Sequence, residues 1–187
     1  LVVEENMDDR RAKVDAYLNM IMEHVVQPIN RTDLKESCTA TILLIFAAID
    51  GLGKLTHPRC DAQPGKRFRH YLSCYMGGEY TRRQDALYKL RCSLAHNALN
   101  FSSFISKTEM GEPHHLKYDT ALGFLFVSST VLFRDFCASL SRLREAFDRD
   151  PALLSIAAER LEWREDDIYA YWGLSTPPPP AVFVSMK

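Results

Sequence analysis

Residues 42–49 read Ile42-Leu43-Leu44-Ile45-Phe46-Ala47-Ala48-Ile49 without one polar side chain, and removing that apolar surface from water is the first demand this sequence makes of its fold. Asp33, followed three residues later by Glu36, has the spacing of a capping box, so a helix is expected from Leu34 to Leu55 with the apolar run inside it. A helix this apolar is largely buried, and other helices must pack against it. Asp50 follows the run directly. A carboxylate there needs a solvated helix end, a capping role near Gly51–Gly53, or a basic partner such as Arg69 or Arg91.

Helical periodicity recurs on both sides of this segment. Met7, Val14, Tyr17, Leu18, Ile21, Met22, Val25 and Val26 step by threes and fours toward Pro28, which marks an amphipathic helix. Thr56–Gly65 has the prolines and glycine of a loop, and Phe68, Tyr71, Leu72, Tyr75 and Met76 form another helical face that Gly77-Gly78 should end. Thr81 and Gln84 match a second capping box, opening a helix through Leu87, Leu90, Leu94 and Ala95. Asn100–Ser106 and Leu122–Ser128 are rich in Phe, Val, Ile and Ser around a Gly111-Glu112-Pro113 turn, which predicts a small β-hairpin excursion. Ser128 or Ser129 can cap a long helix through Leu143, and Asp150-Pro151 opens one more through Leu161. The fold class is therefore mainly α. Residues 1–174 read as one domain, and 175–187, with the run Pro177–Pro180, as a Pro-rich tail.

A chain of 187 residues fits one such core and is short for two domains. Its net charge of −1 exerts no global pull on nucleic acid or membrane. The charge is uneven, however. Nine basic residues stand against three acids between Lys54 and His96, whereas Glu145–Asp167 is rich in acids. The basic segment either tracks a polyanion, through Arg67, Arg69, Arg82, Arg83 and Lys89, or pairs with the acidic helices. Five cysteines, odd in number and without CxxC spacing, point to a reducing cytoplasm. The absence of an uncharged apolar stretch of spanning length, and the acids within residues 1–11, point away from a spanning or secreted protein.

The segment Arg91-Cys92-Ser93-Leu94-Ala95-His96-Asn97 carries the most chemistry. Arg91 and His96 are five residues apart, about 140° around an ideal helix, so they flank one polar edge without touching. Two copies of the helix meeting across a two-fold axis would bring two arginines and two histidines into one cleft. Such a cleft suits RNA cleavage: histidine exchanges a proton at the 2′-OH or the leaving oxygen, and arginine holds the charged phosphoryl group. With the 2′-OH as nucleophile no metal is needed, and DNA is spared.

The run Leu87-Tyr88-Lys89-Leu90-Arg91-Cys92-Ser93-Leu94-Ala95-His96-Asn97, after an apolar helix with Ile49-Asp50-Gly51-Leu52-Gly53, resembles the HEPN superfamily. The resemblance covers about Asp33 to Arg144. It implies a bundle of four or five helices, a homodimer, and a metal-independent endoribonuclease of toxin–antitoxin, antiviral-defence or RNA-processing systems, with an antitoxin or regulatory protein as further partner. Arg91 and His96 match its catalytic positions, and Asp50, Cys92, Ser93 and Asn97 are the expected supporting residues. Active members commonly carry a polar residue after the arginine, where this chain has Cys92, so a binding-only adaptor for RNA, nucleotide or protein stands as the alternative. Where relatives modified by a nucleotidyltransferase have a tyrosine, two residues after the histidine, this chain has Ala98.

Cys92 and His96, at i and i+4, also have the spacing of a thiolate pair or of two metal ligands. A zinc centre needs about four ligands. His114-His115, with Cys74 or Cys60, would have to fold back to supply the others, so neither metal nor cofactor is expected. His114-His115 itself reads as exposed loop, or as a lid over the dimer cleft.

Overall fold

A computed structural model describes residues 6–31, 37–97, 103–106, 113–121 and 123–161. Helix α1 (Met7–Ile21) starts at Asn6, whose side chain accepts from the Asp9 N–H, and buries Val14, Leu18 and Ile21. It continues through a π-helical turn, Met22–Val26, into the short α2 (Gln27–Asn30). The wide turn falls just before Pro28, which has no N–H to donate and crowds the preceding carbonyls, so the helix passes the proline and ends two residues after it.

Helix α3 (Cys38–Thr56) is the pillar expected from the apolar run. Ile42, Ile45, Phe46, Ile49 and Leu52 are wholly buried. It starts at Cys38, capped by Ser37, whose hydroxyl accepts from the Ala40 N–H; Asp33 and Glu36 lie outside the described residues. By length and composition alone α3 could cross a membrane. In the fold α4 (Pro64–Tyr71), α5 (Gly78–Asn97), α6 (Ser129–Arg149) and α7 (Pro151–Arg160) all pack on it, and Leu43 and Ala47 are left exposed on its remaining side. Arg160 of α7 donates to the carbonyls of Lys54, Leu55, His57 and Pro58, closing the C-terminal end of α3 where peptide oxygens lack helical partners.

Helix α4 runs into a second π-helical turn, Leu72–Met76, which Gly77 and Gly78 end with φ of +66° and +52°. That backbone is open to glycine at little cost, and here the predicted break holds. Helix α5 then starts at Gly78, four residues earlier than the Thr81/Gln84 capping box implied. Gln84 instead accepts from the Ser73 hydroxyl, so a partner in space takes the side chain that local spacing assigned to a cap. Ser128 caps α6 by accepting from the Val131 N–H, and Asp150 caps α7 through the N–H groups of Ala152 and Leu153, both as expected.

The β-excursion between α5 and α6 is a three-stranded sheet of order β1 (Ser103–Ser106), β3 (Phe124–Ser128), β2 (Tyr118–Asp119). Antiparallel pairing joins β2 to β3, with Tyr118 opposite Leu125. The two segments read from sequence as partners, β1 and β3, lie parallel, with Ser103 opposite Leu125 and Ser106 opposite Ser128. Parallel strands cannot be joined by a tight turn, so these two do not form the expected hairpin; Gly111 and Glu112 of the turn signal lie outside the described residues. Residues 162–187, which include the Pro-rich tail, lie outside the described residues.

Helices α3 and α4 approach closest at Gly53, where a Cβ would stand 2.5 Å from the Arg67 carbonyl oxygen. Helix propensity favours alanine over glycine by roughly 1 kcal/mol, whereas overpacking a tight contact costs about 1–3 kcal/mol. Gly53→Ala should therefore lower unfolding free energy in urea with no change in slope. A stabilised variant would show that the two helices are not held at this distance.

Candidate functional site

Leu87, Leu90 and Leu94 turn one stripe of α5 into the core. The rotation this imposes puts Arg91 beside α3, where its Nε donates to Asp50 Oδ2 at 2.7 Å and its Nη2 lies 2.5 Å from the same oxygen. The partner sought for Asp50 at the end of the apolar run is thus Arg91. Both side chains keep between a fifth and a quarter of their surface exposed. Burial pushes the Asp50 carboxyl up, with the hydrogen bond and charge of Arg91 and the charge of Arg67 opposing. Burial pulls the Arg91 guanidinium down, but the bond and charge of Asp50, with Cys92 adding, together leave the guanidinium above its ordinary value. Asp50 uses two of the five N–H donors that arginine offers, so the pair fixes where the guanidinium sits and leaves donors for an anion.

His96 is exposed in the last turn of α5, and Asn97 ends that helix. Cys92 and Ser93 lie between Arg91 and His96, half-buried, and Cys92 bonds the Tyr88 hydroxyl one turn earlier, which raises the Tyr88 pKa. In one chain, therefore, Arg91 leans on α3 and His96 projects from the helix end.

The basic residues separate into two groups. Arg67 acts on Asp50 through its charge, and both Arg67 Nε and Asp50 Oδ1 are buried with no hydrogen-bond partner among the described residues. Arg69 bonds Asp85 at 2.6 Å and covers the Tyr88 ring at 4.6 Å. Arg82 pairs with Glu79, and Arg83 donates to the Leu116 carbonyl at 3.1 Å. Arg82, Arg83 and Lys89 border an open cleft of 370 Å³ between α5 and the β2–β3 hairpin. Among the described residues the acids from Glu145 onward find other partners: Glu145 pairs with Arg149 and Asp148 with Arg11.

His114 is exposed as read, but His115, in the turn before β2, is half-buried. Its Nδ1 accepts from the Ser128 N–H at 3.1 Å, and its Nε2 is 2.9 Å from the Tyr80 hydroxyl, which donates to Asp135 Oδ2 at 2.9 Å. Since Tyr80 spends its proton on Asp135, His115 must donate from Nε2 and is neutral. Burial lowers its pKa to about 4, with Arg134 adding and Asp135 opposing. Tyr80 and Asp135 were missed in the sequence; their signal, polar residues on helices otherwise patterned for the core, is one many surface positions share. Among the described residues no three His, Cys, Asp or Glu side chains group closely enough to hold a metal.

The His115 network has a testable consequence. The unfolded chain takes up the proton near pH 6.5 and the folded chain only near pH 4, so stability should fall as pH drops through that window, by at most about 1.4 kcal/mol per pH unit. In urea titrations, the advantage of wild type over His115→Gln should shrink as pH falls. Parallel curves would remove the buried neutral histidine.

Comparison with protein-family models, with curated proteins and with solved structures returns no match.

Proposed function

We propose that this chain is a metal-independent endoribonuclease of the HEPN type, with Arg91 and His96 as its catalytic pair. The observation that carries the reading is the Asp50–Arg91 bond, which anchors a guanidinium on the same helix as an exposed histidine one and a half turns away. The anchored guanidinium stabilises the negative charge that builds on the phosphoryl oxygens, and its fixed position removes a reorganisation cost from the barrier. His96 takes the proton from the 2′-OH as that oxygen attacks the adjacent phosphorus, or gives one to the departing 5′ oxygen. The products are a 2′,3′-cyclic phosphate and a free 5′-OH.

One copy of α5 cannot bring both roles to one phosphodiester, so the site is completed by a second copy across a two-fold axis. The small side chains Cys92, Ser93 and Ala95 beside His96 allow two such helices to approach closely. A toxin or antiviral-defence role in the cytoplasm, restrained by an antitoxin or regulatory protein, belongs to the same reading.

Purified protein in chelator should cut single-stranded RNA and leave cyclic phosphate ends. Arg91→Ala and His96→Ala should each remove cleavage while circular dichroism stays that of the wild type, since a positioned acid–base group is worth about 10²–10⁴ in rate. Sedimentation should give a dimer. Intact RNA after prolonged incubation, with binding still dependent on Arg91, would replace the ribonuclease by a binding-only adaptor.

Asp50→Asn provides a separate check. The amide keeps the volume but loses the charge that anchors Arg91, so cleavage should fall at least tenfold with a small change in melting temperature, if charge-assisted hydrogen bonds are worth about 1.5–3 kcal/mol. Unchanged activity would make Asp50 a structural neighbour only.

A further inference from the structure

The cleft between α5 and the β2–β3 hairpin has a composition that the catalytic pair does not explain. One wall is the exposed side of α5, with Arg82, Arg83 and Lys89, and the other is the hairpin, with Tyr118 and Gly123. Asp85 also lines it, but its carboxylate is held by Arg69. Tyr118 is 49% exposed, one of the few large apolar side chains the fold leaves in water. Gly123, at φ +73°, turns the chain so that no side chain stands at that point of the rim. A volume of 370 Å³ is in the range of small-ligand sites, and cations beside an open aromatic face are the parts that bind an unpaired nucleotide: phosphate on the cations, base on the ring.

The direction of α5 ties the cleft to His96. Arg82, Lys89 and His96 are seven residues apart in turn, and an ideal helix drifts only about 20° per seven residues, so the three share one stripe. Lys89 and His96 are then separated by about 10 Å along the axis. A strand whose phosphates follow the stripe reaches His96 directly from the cleft.

We infer that this cleft is a nucleotide-binding subsite for single-stranded RNA, in which Tyr118 stacks one unpaired base while Arg82 and Lys89 hold the adjoining phosphates. Only the orientation of the strand toward His96 rests on the ribonuclease reading. Double-stranded RNA is excluded from the subsite, because a paired base cannot turn out onto the ring.

The test is fluorescence anisotropy with a labelled uridine octamer, using the full chain carrying His96→Ala in chelator, so that binding is read without cleavage. Tyr118→Ala should weaken binding about tenfold or more, Tyr118→Phe should restore it, and a duplex of equal length should be insensitive to both. Lys89→Gln should reduce the slope of log affinity against log salt by about 0.7, the value for one phosphate on a single strand. Unchanged binding by Tyr118→Ala, or equal loss in Tyr118→Phe, overturns the inference. So does a chain that ignores the octamer and instead binds a glutamate-rich peptide through Lys89, which would make the cleft a protein-docking site. Failure of wild type to cleave, with the Tyr118 pattern intact, sinks the ribonuclease and leaves the subsite standing.

Discussion

Everything else in this structure is arranged around the burial of α3. Its apolar side chains touch helices on several sides, and the cost of leaving them in water far exceeds any single polar contact at the surface. Burial on this scale dictates where the neighbours go. Helix α4 lies close enough that only glycine fits at position 53, and α7 reaches over the end of α3 to satisfy its last carbonyls with Arg160. Helix α5 is rotated so that Leu87, Leu90 and Leu94 face inward.

The same rotation sets the polar chemistry. With the leucine stripe inward, Arg91 is carried to the boundary with α3 and meets Asp50, while Arg82, Lys89 and His96 are left on the solvent side. The Asp50–Arg91 pair differs in kind from the ion pairs elsewhere. Arg59–Asp61 and Arg149–Glu145 are exposed, and pairs of that sort contribute little. Asp50 is partly desolvated, so removing Arg91 would leave a carboxylate with poor alternatives, and Arg67 stands near without bonding it. A position this constrained is a suitable place for a charge whose orientation matters.

The anchored arginine and the proposed subsite use different faces of one helix, while His96 shares the stripe of the subsite. Arg91 is anchored and partly buried, which suits stabilisation of a charge at a fixed point. Arg82 and Lys89 are exposed on long flexible stems, which suits sequence-independent contact with a backbone. Tyr118 comes from outside the helical bundle, on a strand paired to β3. The sheet thereby has a use beyond connecting α5 to α6: it brings an aromatic face against a cationic helix. The buried His115–Tyr80–Asp135 chain, tied to the Ser128 N–H, holds that sheet to α5 and to the start of α6.

Periodicity in the sequence determined which residues form helices and which face of each is apolar, because both follow from the 3.6-residue repeat and need no knowledge of neighbours. For the same reason Ser128, Asp150 and the Gly77-Gly78 break were legible: each acts on backbone within three residues of itself. Asp50 could be recognised as needing a partner, and Arg91 named among the choices, but chemistry alone treats Arg69 and Arg91 alike. Only the packing of α5 on α3 decided between them. Packing likewise gave Gln84 to Ser73 in place of a cap, set β1 parallel to β3, and placed His115 in a hydrogen-bonded interior. Tyr118 carries no pattern that would single it out before the hairpin sets it across from Arg82 and Lys89. Local backbone preferences are written residue by residue, whereas the pairing of distant polar groups is chosen by the geometry that buries the apolar ones.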